Sequence, residues 1–137
     1  MSAPLARGSR AGSLLAVFAA SLLFLCPAGA QEQADLVVNP EVNKALNMVY
    51  AYTCTAKACG DSKEYGQLRL RLDELLALAN RKGSLTADGI RLRRNRSLYI
   101  DAGARFYESS PKIPCSEYRK HVPTLLEEVD ELTAINR

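Results

Sequence analysis

The first thirty residues set the conditions under which the rest of the chain must fold. Arg7 and Arg10 lead into a nearly unbroken apolar stretch from Leu14 to Cys26, and Ala28, Gly29 and Ala30 then place small side chains where a signal peptidase reads. A basic lead, an apolar run and a small-residue site are the three parts of a secretory signal. The apolar run is shorter than the roughly 18–20 residues that span a bilayer, so residues 1–30 read as a cleaved leader rather than a retained anchor. Leu25 is too bulky for the small position that precedes a lipidated cysteine, and Cys26 is expected to leave with the leader.

Export bounds both size and chemistry. Of 137 residues, 107 remain, enough for one small domain. The leader takes two arginines and no acid, so the 18 basic and 15 acidic residues become 16 and 15, a net charge of about +1. That balance gives no support to a nucleic-acid partner. An oxidising compartment and a small core favour one disulfide among Cys54, Cys59 and Cys115, with one thiol left over. The chain has no Trp, so core and binding surfaces must be built from Leu, Val, Ala and Tyr.

Residues 31–38 read as a flexible leader to the domain, which is expected to occupy 39–137. Asn39 before Pro40 is a helix start, because Asn caps orphan N–H groups and Pro suits the first helical position. Val42, Ala45, Leu46, Val49, Thr53 and Ala56 follow at helical spacing, and Gly60 stops the run. A second helix, capped by Asp61 or Ser62, carries Tyr65, Leu68, Leu72, Leu75 and Ala79 three and four apart and ends at Gly83. Thr86 and Asp88 are positioned to cap a third helix over about 87–109, which Gly89 and Gly103 weaken. The segment from Ser109 to Pro114 is a loop. Tyr118, Val122, Leu125, Val129 and Leu132 mark a fourth helix, with a kink or restart expected at Pro123 and an acidic face at Glu127, Glu128, Asp130 and Glu131. With no alternation of apolar and polar residues, the expected fold is all-α, a small four-helix bundle-like domain with one disulfide.

Helix geometry bears on the cysteine pairing. Cys54 and Cys59 would lie about 140° apart around one helix and roughly 7.5 Å along it, outside the reach of a disulfide unless the helix unwinds. Cys59 falls near the apolar face and Cys54 well away from it. The favoured pair is therefore Cys59–Cys115, tying the end of the first helix to the start of the last, with Cys54 as a free thiol that is either buried or available to link a homodimer.

Cys59-Gly60 ending the first helix, an Arg- and Leu-rich second helix, the Phe106-Tyr107 pair and a single distant Cys115 resemble a family of small uncharacterised exported proteins of alphaproteobacteria. That family is marked by two well-separated cysteines thought to pair. The resemblance covers roughly residues 42–132 and implies the same 59–115 pairing and no activity. Cys54 and the Pro111–Pro114 insert depart from it.

Other constellations are weaker. Cys54, Cys59, Cys115 and His121 would suit zinc chemically, but there is no close Cys-x-x-Cys pair, and Cys115 and His121 face about 120° apart on one helix. No metal or other cofactor is implied. Arg91, Arg93, Arg94 and Arg96 form the densest charge cluster. They read either as a solvated face neutralised in part by Glu127–Glu131, or as a site for an anionic ligand or membrane surface. Asn95-Arg96-Ser97 matches the N-glycosylation sequon. His121, the sole histidine, has no pattern-linked nucleophile, and an enzyme would need a concave pocket gathering it with carboxylates or Tyr107.

The expectation is a periplasmic or secreted, non-enzymatic helical binding protein: an adaptor, an envelope-complex subunit or a small chaperone. Its partner would be another envelope or secreted protein. A small exported enzyme or zinc protein is the remaining alternative.

Overall fold

The computed structural model describes residues 34–110 and 113–137; the expected leader at 1–30 lies outside them. Among the described residues five helices pack together: α1 (Pro40–Cys59), α2 (Ser62–Arg81), α3 (Ala87–Arg94), α4 (Arg96–Ser109) and α5 (Cys115–Ile135). None of them is long and apolar enough to cross a membrane.

Local chemistry explains most boundaries. Asn39 caps α1 through its side-chain oxygen, which accepts from the amides of Glu41 and Val42. Gly60 ends the helix in the left-handed region (φ 74°), where its amide and that of Asp61 reach back to the Lys57 and Ala56 carbonyls. Thr86 caps α3 by accepting from the Gly89 amide.

The single third helix expected over 87–109 is two helices. Asn95 stands between them: its side-chain amide and its backbone N–H both donate to the Arg91 carbonyl, closing α3, and its own carbonyl accepts from Tyr99 to begin α4. An Asn that satisfies the backbone locally competes with helix continuation. At Pro123 the reverse holds. The expected restart does not occur, and α5 runs through it. Pro123 is exposed, and its lack of an amide removes one helical hydrogen bond without ending the helix.

α1 is the central helix. It packs against α2 and α5 on one side and α4 on the other, while α4 and α5 do not pack on each other. Thr53, Cys54, Thr55 and Ala56 are consequently all buried, four consecutive positions that sweep most of the helix circumference. The two threonine hydroxyls are buriable because each donates to a carbonyl one turn back, Val49 at 2.6 Å and Ala51 at 3.0 Å. Leu46, Val49, Leu68, Leu72, Leu92 and Ile100 are fully enclosed around this axis.

Residues 34–38 are not a flexible leader. Ala34, Leu36 and Val37 are buried, and the segment is strapped in extended form across α1 and the α2–α3 corner. The Asn43 side-chain oxygen accepts from the Leu36 amide (2.7 Å), and the Asn47 amide donates to the Ala34 carbonyl (2.9 Å). On the other side the Thr86 amide donates to Leu36 O, and the Val38 amide to Ser84 O. Gly89 does more than weaken its helix, because it lets the strap through: a β-carbon there would lie 2.0 Å from the Leu36 oxygen.

Candidate functional site

Two features draw the sequence-level candidates together: a braced corner at one end of α1, and a groove along its flank.

The corner is built on Gly60. The turn it makes brings Cys59 to Cys115, and the two are joined by a disulfide with Cα atoms 5.9 Å apart. The ring closed through the chain spans 56 residues of sequence, worth about 4 kcal/mol in the chain-entropy treatment. Asp61, expected to cap α2, makes no capping bond. Its carboxylate turns instead to α5, accepting from the Tyr118 hydroxyl and, in a two-point fork, from Arg119 Nε (2.7 Å) and Nη2 (2.9 Å). The Arg119 guanidinium, with Tyr118 adding to it, holds the Asp61 carboxyl below the ordinary range. Burial, and then the Asp61 charge, push the Tyr118 hydroxyl well above its ordinary value. Tyr118 also meets the Tyr52 ring edge-on at 6.1 Å. Lys57 bridges to Asp101 at 2.7 Å, fastening α1 to α4 as well.

Cys54 is completely buried, and no described cysteine is free. The expected free thiol is therefore corrected, and a homodimer linked through it would require opening the core. Cys54 lies off the recognised apolar stripe yet is buried, as the burial alternative expects, because α1 has neighbours on more than one side at that level. Zinc loses its ligand set for a chemical reason: Cys59 and Cys115 are bridged, and a disulfide sulfur is not a thiolate.

The groove lies between α1 and α5, which run antiparallel. Ala45, Met48, Leu125, Val129 and Leu132 form its floor, Glu41, Lys44 and Glu128 its rim, and it encloses about 300 Å³. It continues toward the corner into a smaller depression that adds Tyr52, His121 and Thr124. His121 is largely exposed, with Glu117 at 3.5 Å, and among the described residues no second group orients its other ring nitrogen. Tyr107 is elsewhere, donating to the Ile113 carbonyl. The groove was not anticipated from sequence. Met48 and Tyr52 stand four apart beside the recognised stripe of α1, and that is the signal that could have revealed it.

The four arginines are separated rather than gathered. Arg91 pairs with Asp88 at 2.6 Å, and Arg96 with Asp73 at 2.5 Å, where Arg69 also approaches. Arg93 and Arg94 have no ion-pair partner among the described residues. The acidic stretch of α5, expected to neutralise this cluster, instead gives Asp130 to Arg71 on α2. Asn95 of the glycosylation sequon is engaged in the helix junction, and Ser97 accepts from Arg69.

No protein-family model, curated protein or solved structure matches the chain.

Proposed function

We propose that the chain is an exported, non-enzymatic helical binding protein, an adaptor, envelope-complex subunit or small chaperone, that holds a protein partner in the groove between α1 and α5. The observation that carries this reading is the groove itself: an apolar floor with Met48 and Leu125 at its centre, rimmed by charge. Its two walls are fastened together at one end by the disulfide and the Asp61–Arg119 fork. A preformed surface binds without the cost of ordering it, and a Met in the floor adapts to the shape of what it meets.

A photoreactive amino acid placed at Met48 in the producing cell tests the reading. Capture of one defined protein from position 48, and not from exposed Lys63 on α2, is the expected result. Equal capture from both positions, or none from either, would contradict it.

The anionic-ligand or membrane-surface reading retains Arg93 and Arg94. It is the second reading because Arg91 and Arg96 are committed to carboxylates of the chain.

A further inference from the structure

We infer that the occupant of the α1–α5 groove is a short amphipathic helix with basic flanks, presented by another protein; this rests on the groove being the binding surface. The dimensions come first. The lining runs from Glu41 to Tyr52 on α1 and from His121 to Leu132 on α5. Eleven helical steps on each wall give about 16 Å, or three turns. Two antiparallel helices with an open apolar seam complete themselves with a third helix laid in the seam, which buries its own i, i+3, i+4, i+7 stripe against them. An extended strand would leave its main-chain groups without partners against this floor, since Ala45, Met48, Leu125, Val129 and Leu132 offer it only apolar side chains.

Charge then selects the sign of the flanks. Glu41 and Glu128 stand on the rim against one lysine, Lys44, and Glu127 and Glu131 are exposed carboxylates elsewhere on α5. Glu41, Glu127, Glu128 and Glu131 form no ion pair with any described residue. Asp61, Asp73, Asp88, Asp101, Glu117 and Asp130 are by contrast paired with cations of the chain itself. A helix with Lys or Arg beside its apolar stripe would meet this rim with complementary charge, which favours encounter and sets orientation.

Because the protein contains no Trp, a Trp-bearing peptide reports its own binding without background. Two 14-residue helical peptides with the same apolar stripe, one flanked by Lys and one by Glu, are titrated into the purified protein. The basic peptide is expected to bind about tenfold more tightly at low ionic strength, with the gap closing in high salt. The double variant Glu41→Lys, Glu128→Lys should reverse the preference, with circular dichroism confirming an unchanged helix content. Equal binding of both peptides, lost in Met48→Glu, would overturn the basic partner and leave the groove as the binding surface. Binding of neither peptide by a monomeric protein would overturn the inference. So would sedimentation of the wild type as a dimer that Met48→Glu converts to monomer, the occupant then being a second copy.

Discussion

Gly89 and Leu36 touch backbone to backbone: the Leu36 carbonyl lies where a β-carbon of residue 89 would stand. Gly89→Ala should therefore lift the strap off α3 rather than merely alter helix propensity. A cost of about 1–3 kcal/mol is expected, the range for an overpacked contact, against a gain for Ala if only propensity mattered. Hydrogen exchange locates the effect: the Leu36, Val38 and Thr86 amides should lose protection first, since each is bonded across the strap.

The strap also sets how far the N-terminus can be trimmed. Removing residues through Val37 should lower the urea midpoint markedly, because Ala34, Leu36 and Val37 are buried and the buried Asn43 oxygen would lose both strap amides that donate to it. A midpoint unchanged by this truncation would show that the strap contributes nothing.

Acid should loosen the braced corner. Asp61 and Asp101 have carboxyls held below the ordinary range, by Arg119 and Lys57 respectively. A carboxyl whose pKa is lower folded than unfolded adds stability that is complete above its unfolded value, about 4, and is lost as pH falls through the folded value. Stability should thus hold from neutrality to about pH 5 and decline below pH 4. Asp61→Asn should be less stable at neutral pH and show a shallower acid decline in urea titrations from pH 7 to 2. Parallel profiles for variant and wild type would contradict this.

Removing the disulfide should weaken the domain without dissolving it. Cys59→Ser with Cys115→Ser is expected to lose about 2–4 kcal/mol. The helical circular dichroism should persist at room temperature, because Asp61 still ties the α1–α2 corner to Tyr118 and Arg119 on α5. Complete unfolding of the double variant would show that this polar tie is too weak to matter.

How much was legible in the sequence depended on how local the determining physics was. Asn39 before Pro40, Gly60, Thr86 and the heptad of α2 each act within one turn of their own position, and each behaves as its residue type dictates. The Cys59–Cys115 pairing was accessible because helix geometry bears on the alternative within one helix. What escaped depends on contacts far along the chain. Asp61 has the composition of a cap, and only the approach of Arg119, 58 residues on, draws it elsewhere. Cys54 projects off the recognised stripe, and only α1 having neighbours on both sides buries it. The strap has no periodic signature, because its stability comes from Asn43, Asn47 and Thr86 recognising its main chain. The groove follows from the packing of α5 on α1 and could not be seen in either helix alone.

Mass mapping of the non-reduced protein purified from its own cells tests most directly the proposal of an exported helical domain stapled between α1 and α5. The predicted result is an N-terminal peptide beginning near Gln31, together with a linked pair of peptides joining Cys59 to Cys115. A chain that retains residues 1–30, or one in which Cys59 is reduced or joined to Cys54, would contradict it.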